Sequence, residues 1–408
     1  MTGLEDPDVL ELRRIALPVS VALDYPNREL RSVLQKVGSA RVVGLGGTTR
    51  KAREFARQQT RIVTHLVSFH GFRGIALEED WTLCVELDAS VRGRQDNLHR
   101  LLAQARPFWS TVETMRLLNW VRLWNASHTN DEVRILGLNA DATRSSAYDA
   151  IAHGCAGKLP DAEAAELAGL LNRLAPTADI QEHARRFRAL GSTEQQAVLE
   201  EARRIHSLVS RQPLSNSGLL ERHALAIVDF YRYHSNSRGD ILRYAAARMA
   251  DHLLWWLEAH DAKVIYLGGA AHTAVASTLT LSNPEITQPN TGSLLRKHLS
   301  EGYQSIGFTF STGRIHSEIP VPDAAFTESV LGRVETPAFI IDPTQARGDC
   351  GFFTSPAKIR SVGPLYEPTR DPEFSMTGGS LRDWFDILMH TQTISPTQAL
   401  SPDDLRTW

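Results

Sequence analysis

A strand, a helix and a second strand follow one another near the start of the chain. Residues 40–47, ARVVGLGG, are an apolar run closed by glycines, and residues 73–81, RGIALEEDW, are an apolar run that ends in acids. The segment between them has apolar side chains at near-helical spacing, with Thr48 or Thr49 placed to cap its start and Gly71 placed to stop it. This order predicts parallel strands joined by a right-handed crossover, with a functional crevice beyond the carboxyl ends of the strands.

The rest of the chain predicts more of the same α/β fold, interrupted once. Further strands are expected at 133–139, 263–272, 302–313 and 336–342, and long helices at 107–125 and 238–261. Residues 141–235 are rich in Ala, Leu, Glu and Arg, have helical periodicity and carry no strand signal. We therefore expect an all-helical insertion between two halves of an α/β core.

Composition excludes several classes of function. The 408 residues include 44 Lys+Arg and 47 Asp+Glu, without the basic face or charged tail of a nucleic-acid binder. No apolar run reaches the roughly 18 residues of a membrane span, and the acidic N-terminus is unlike a signal peptide. Three separated cysteines, with no CxxC pair, indicate a reducing cytoplasm. The excess of arginine over lysine is typical of a GC-rich bacterial genome.

Three consecutive acids, Glu78, Glu79 and Asp80, end the second strand. Carboxylates this close repel one another unless a cation, an arginine or a substrate compensates them. They are either a solvated strand end or part of a cleft. In the cleft, Glu78, nearest the strand, is placed to act as a general base or hydrogen-bond acceptor.

Two glycine-rich segments follow other strands and are candidates for the same crevice. GLGGTTR, residues 44–50, matches neither a dinucleotide fingerprint nor a Walker A loop. It is either a tight turn or a helix start that receives an anion or oxyanion, with Arg50 close by. GGAAH places His272 just past another strand, as a structural or a catalytic histidine. No nucleophile elbow and no histidine pair at metal-binding spacing is present, so we expect no metal and no cofactor.

Taken in order, these segments resemble the erythromycin esterase family. The resemblance is carried by GLGGTTRKAREF from Gly44, HGFRGIALEEDW from His70, MADHLLWWL from Met249, YLGGAAH from Tyr266 and GYQSIGFTFSTG from Gly302. It implies a three-layer α/β/α body with a mainly parallel sheet, a deep cleft and metal-independent hydrolysis in which a histidine activates water. It also implies a core of residues 35–140 and 236–392, with the helical insertion at 141–235 and terminal extensions at 1–34 and 393–408.

The family's catalytic groups are only partly retained when its motifs are placed on this sequence. The first motif has glutamate where this chain has Gly47, and its histidine, the implied general base, falls on Arg50. A later histidine falls on Gly269, whereas Glu78 and His272 are kept. Other replaced positions are Gln59, Ala270 and Ala245-Ala246. We expect these replacements to widen the cleft and to make its floor more positive.

An arginine, with a pKa above about 12, cannot take a proton from water, so the sequence supports three hypotheses. In the first, the protein is an enzyme of natural-product biosynthesis that cyclises, rearranges or eliminates on a bulky specialised metabolite or modified peptide. In the second, it is a metal-independent esterase or lactonase for a macrolide-like ester, and in the third a non-catalytic sequestering protein. The predicted catalytic residues are Glu78 and His272, and the predicted substrate-binding residues are Arg50, Thr48, Thr49, Glu79, Asp80, Gly269 and Trp81. The sequence leaves the oligomeric state open.

Overall fold

The computed structural model describes residues 6–22, 29–177, 179–211, 217–235, 237–282, 285–348 and 350–401. Residues 1–5, 23–28 and 402–408 of the expected terminal extensions lie outside the described residues. So do residues 178 and 212–216 of the expected insertion. In the described part of the chain no helix is both long and apolar enough to cross a membrane, and all three cysteines are free.

Thirteen strands occur within the described residues. They are β1 (Leu17–Pro18), β2 (Val42–Gly47), β3 (Phe72–Asp80), β4 (Arg134–Asn139), β5 (Lys263–Gly269), β6 (Leu279–Ser282), β7 (Glu285–Gln288), β8 (Tyr303–Arg314), β9 (Glu318–Ile319), β10 (Ala338–Ile341), β11 (Ile359–Arg360), β12 (Ser375–Thr377) and β13 (Ile387–Ile394). The main sheet has the order β1-β10-β13-β8-β2-β5-β3-β4, with β9 paired to β8. The six strands from β13 to β4 are mutually parallel. A small antiparallel sheet has the order β11-β12-β6-β7.

The described helices are α1 (Pro7–Ile15), α2 (Arg31–Val37), α3 (Arg53–His70), α4 (Trp81–Val91), α5 (Leu98–Leu102), α6 (Val112–Ser127), α7 (Ser145–Cys155), α8 (Asp161–Leu174), α9 (Ile180–Arg188), α10 (Ser192–Ser210), α11 (Ser217–Ser235), α12 (Arg238–His260), α13 (Ala270–Thr273), α14 (Thr291–Leu299), α15 (Thr327–Leu331), α16 (Gly351–Thr354) and α17 (Leu381–Trp384). Helices α7 to α12 follow one another between β4 and β5, with no described strand among them.

The main sheet is covered by helices on both faces because its strand side chains alternate. Val43 and Leu45 of β2 belong to a buried cluster that includes Ile62 of α3. Val42 belongs to a second cluster, on the other face, with Leu253 of α12. The fold is therefore a three-layer α/β/α sandwich, as the sequence predicts. Helices α7 to α11 have a separate apolar cluster of their own.

The start of the first long helix differs from the sequence prediction. Helix α3 begins at Arg53 with Ala52 as its N-cap, rather than at Thr48 or Thr49. The Thr49 hydroxyl instead accepts the Lys51 backbone N–H at 3.3 Å, which is a local turn of the kind that competes with helix formation. The loop between β2 and α3 is therefore longer than expected, and Arg50 lies within it.

Candidate active site

The three acids at the end of β3 each meet an arginine. Glu78 pairs with Arg50, and Asp80 pairs with Arg144. Glu79 lies 3.5 Å from the Arg106 guanidinium and also accepts the Arg106 backbone N–H at 2.6 Å. The acids are 1–3% exposed, so their mutual repulsion is compensated by arginines rather than by water.

Both carboxylate oxygens and the backbone carbonyl of Glu78 have partners. One carboxylate oxygen, Oε1, accepts the Tyr266 hydroxyl at 2.7 Å and the Gly269 backbone N–H at 3.2 Å. The other, Oε2, pairs with Arg50. The Glu78 backbone carbonyl accepts the Trp109 indole N–H at 3.1 Å. Since both carboxylate oxygens already have partners, Glu78 is placed to position Arg50 rather than to accept a proton as a general base.

Arg50 lies between an aromatic ring and the backbone of β5. Its guanidinium carbon is 5.0 Å from the centre of the Phe108 ring. Burial lowers the pKa of Arg50 to about 10, so the side chain stays cationic at neutral pH. The arginine is thus fixed by Glu78 through Nη2, and its Nε–H is a buried donor without an acceptor among the described residues.

His272 is carried by α13, the short helix that follows β5 directly. The carbonyl of its neighbour Thr273 accepts two hydroxyls, from Tyr303 at 2.5 Å and Ser305 at 2.9 Å. These bonds fix the short helix against β8. Burial, with the nearby charge of Arg50, lowers the pKa of His272 to about 3. The imidazole is therefore neutral at physiological pH and keeps a lone pair on one ring nitrogen, while the same surroundings make it a weaker proton acceptor than an ordinary histidine.

Arg50 and His272 line one cavity of about 170 Å³. Its walls come from the β2–α3 loop, α13 and the small antiparallel sheet, and they include Thr48, Thr49 and Gly269. The Thr48 hydroxyl is buried and has no hydrogen-bond partner among the described residues. Five of the residues predicted from sequence therefore meet here: Thr48, Thr49, Arg50, Gly269 and His272. Glu78 lies behind the wall and touches the cavity through Arg50.

The other predicted binding residues lie elsewhere. Glu79 lines a larger cavity of about 710 Å³ beside the ends of β3 and β4. Asp80 caps α4 by accepting the Thr82 backbone N–H at 2.8 Å. Trp81 is buried edge-to-face against His252 and Trp255. Glu78, Glu79 and Asp80 are adjacent in the sequence, but successive side chains along a strand point to opposite faces of the sheet, so these residues reach different surroundings.

The expectation of a wider cleft is wrong, because the space left by the small residues is filled. A methyl group added at Gly47 would lie 2.5 Å from the Thr49 carbonyl oxygen. One added at Gly269 would lie 3.0 Å from Arg50 Nη2. The loop and the Arg50 side chain occupy the space beside the two glycines, and Glu78 offsets the positive charge of Arg50.

A substitution at Gly47 tests this packing. We expect Gly47→Ala to lower the free energy of unfolding by about 1–3 kcal/mol, because overpacking forces a backbone shift. Gly363→Ala is the matched control, since Gly363 lines the same cavity and a methyl there meets no atom within 4 Å. Urea unfolding of the two variants checks the prediction. Equal stability would show that the loop does not close over Gly47.

Several residues of the site are not identified by sequence reasoning. Tyr266 binds Glu78 from the neighbouring strand, and Arg106 reaches Glu79 from a loop. Arg360, fully buried on β11, lines the cavity with His272. Tyr266 is the first residue of the recognised segment YLGGAAH, which is the one available signal. The two arginines follow no motif and are brought in by the tertiary fold alone.

The protein therefore has an α/β fold with a cavity at the carboxyl ends of its parallel strands. An arginine–carboxylate pair and a neutral histidine lie at this cavity. The family model for erythromycin esterase matches residues 67–394. The chain belongs to the erythromycin esterase family, as its motifs predict. The match begins after Arg50, so the correspondence of the β2–α3 loop rests on the motif beginning at Gly44.

Solved structures share this fold over almost the whole chain. A Bacillus cereus protein is 23% identical with a TM-score of 0.85, covering 97% of this chain and 98% of its own. A protein described as a succinoglycan biosynthesis protein is 20% identical with a TM-score of 0.85, covering 98% and 100%. An erythromycin esterase, a mutant of EreC in its open conformation, is 15% identical with a TM-score of 0.72, covering 95% and 99%. At these identities the similarity establishes the fold.

Proposed function

We propose that this chain is a non-hydrolytic enzyme of the erythromycin esterase family. It cyclises, rearranges or eliminates on a specialised metabolite or modified peptide in natural-product biosynthesis. His272 takes a proton from the substrate and returns it at another atom, while Arg50 holds a carbonyl or carboxylate oxygen. Cyclisation by addition and rearrangement conserve all atoms, and elimination releases a leaving group with the proton, so no oxidant or reductant is required.

The observation that carries this proposal is the lining of the 170 Å³ cavity. It combines a neutral histidine with two donors that lack acceptors, Arg50 Nε–H and the Thr48 hydroxyl. A base that shares a cavity with hydrogen-bond donors can take a proton while the donors stabilise charge developing on a substrate oxygen. A protein that only sequesters a ligand has no need of a base in this position.

The same residues argue against water activation by the family route. The histidine implied as the base is Arg50, which stays protonated and cannot accept a proton. Glu78 is not a substitute, because Oε1 already accepts two hydrogen bonds and Oε2 is ion-paired with Arg50. Loss of a general base alone costs about 10²–10⁴-fold in rate.

The two cavities suggest how a bulky substrate is divided. The 170 Å³ cavity is smaller than the roughly 300–1,000 Å³ of typical ligand sites, whereas the 710 Å³ cavity lies within that range. Both lie at the carboxyl edge of the sheet. Ala105 to Pro107 line the large cavity, and the next residue, Phe108, lies against Arg50 of the small one. We propose that the reacting group enters the small cavity and the remainder occupies the large one.

The test compares the masses of substrate and product. The protein is incubated with metabolite extracts, and depleted compounds are followed by mass spectrometry, with heat-inactivated protein as a control. The proposal predicts products of unchanged mass or products that have lost a leaving group without gaining water. A ring-opened product heavier by one water, or an acid and an alcohol whose masses sum to the substrate plus one water, would support the esterase hypothesis instead. Tight retention of an unmodified compound would support the sequestering protein.

The pH dependence of turnover has a defined sign. A histidine at its ordinary pKa of 6.5 loses half of its basic form at that pH, whereas the pKa of His272 is about 3. Protonation below that value removes the base. We therefore expect kcat to show no loss from His272 protonation between pH 7 and about 4.5 while the protein stays folded. A decline centred near pH 6.5 and absent from His272→Asn would contradict the assigned environment.

A further inference from the structure

A third cavity, of about 500 Å³, lies beside β4 at the edge of the main sheet. Its walls come from α4, β4, α12 and the start of α11. It shares no lining residue with the 170 Å³ or the 710 Å³ cavity. Its volume lies within the range of small-molecule sites. The proposed reaction makes no use of it.

Tryptophans supply much of the apolar surface of this cavity. Trp81, Trp255 and Trp256 all line it, with ring centres 5.7 Å apart for Trp81–Trp255 and 6.3 Å apart for Trp255–Trp256. Trp81 is only 3% exposed, and its indole N–H has no acceptor among the described residues. Flat rings arranged edge-to-face favour another flat ring, and an unpartnered indole N–H favours an acceptor atom on that ligand.

The charge of the lining is positive. Three arginines, Arg92, Arg94 and Arg134, stand against one acid, Asp88. Arg134 binds Asp88 through two nitrogens, the closest contact being 2.8 Å. Arg94 is exposed and makes no ion pair within the described ranges. An incoming carboxylate therefore meets one guanidinium that is not already neutralised.

We propose that this cavity binds a small aromatic carboxylate. The ring packs among the tryptophans, and the carboxylate is held by Arg94 at the rim. The site is distinct from the cavity of His272, so the inference does not depend on the proposed reaction. Trp81, predicted from sequence as substrate-binding, lines this cavity and not the one that holds His272.

Calorimetric titration of the full chain with 1-naphthoate tests the proposal, with uncharged 1-naphthylmethanol as the comparison ligand. We expect saturable binding of the carboxylate, and at least 10-fold weaker binding of the alcohol. Trp255→Ala and Arg94→Glu should each weaken naphthoate binding at least 10-fold. The matched controls, Trp124→Ala and Arg100→Glu, alter a half-buried tryptophan and an exposed arginine outside this cavity and should leave binding unchanged.

The variant His272→Asn separates this site from the proposed active site. It should bind naphthoate as tightly as the unmodified chain. The proposal is overturned if naphthoate fails to bind at millimolar concentration, if the alcohol binds equally well, or if Trp255→Ala has no effect. Loss of binding in His272→Asn would place the ligand in the other cavity and would equally overturn it.

Discussion

Turnover should fall by about 10²–10⁴-fold when His272 is replaced by asparagine, the range expected for loss of a general base. Asparagine keeps hydrogen-bonding capacity but cannot accept the proton. The fold should persist, because α13 is anchored through the Thr273 carbonyl rather than through the imidazole. The measurement is kcat on the substrate identified by mass spectrometry, with circular dichroism as a check on folding.

His316→Asn is the matched control for this variant. His316 is exposed and lies outside the 170 Å³ cavity, so turnover should stay unchanged. Arg50→Gln adds a second comparison, since it removes the positive charge while the neutral base remains. Full activity in His272→Asn, with the fold intact, would remove His272 from the reaction.

The second large effect concerns stability, at the ion pair between Arg360 and Asp371. The Arg360 side chain is fully buried, and its Nε lies 2.8 Å from Asp371. Asp371 also accepts the Tyr366 hydroxyl at 2.6 Å. Asp371→Asn keeps the shape and leaves a buried guanidinium without its counter-charge. Breaking such a pair costs about 3–5 kcal/mol, and we expect that loss in the free energy of unfolding.

Asp131→Asn is the control for the buried pair. Asp131 pairs with Arg73 at the surface, where its side chain is 53% exposed. Exposed pairs contribute about 0–1 kcal/mol, so this variant should unfold at nearly the same urea concentration as the unmodified chain. A similarly small effect from Asp371→Asn would show that the charge of Arg360 is compensated by solvent or by the neighbouring Glu328 carboxylate. Because Arg360 lines the cavity of His272, such a result would also change the charge and solvent exposure assigned to that wall of the cavity.

The main elements of the fold follow from sequence because their patterns are local. The runs VVGLGG and KVIYLGG are continuous apolar segments closed by glycines, and they form adjacent parallel strands. The helical periodicity after residue 141 likewise predicts α7 to α11 without knowledge of their partners. The prediction for the start of α3 is wrong because threonine is a preferred N-cap residue, whereas the tertiary structure places Thr48 and Thr49 in the loop before the helix.

The site is predictable only where a motif carries it. Glu78 and His272 are predicted as site residues because they stand at strand ends within recognised segments. Arg106 and Arg144 are not, because they reach their acids across 27 and 64 residues. Residue size alone also does not predict that the space beside Gly47 and Gly269 is filled by neighbouring atoms. Small residues suggest a gap until the positions of Thr49 and Arg50 are known.

Hydrolysis of esters in water labelled with ¹⁸O tests the central claim most directly. The unmodified chain is incubated with erythromycin and with 4-nitrophenyl butyrate, and label in the acid product is compared with the rate in buffer alone. Because the motif resemblance places Arg50 where the family has its general base, and because both Glu78 oxygens are engaged, we expect no incorporation above the uncatalysed rate. Rapid incorporation that is lost in His272→Asn would contradict the account and identify the chain as an esterase.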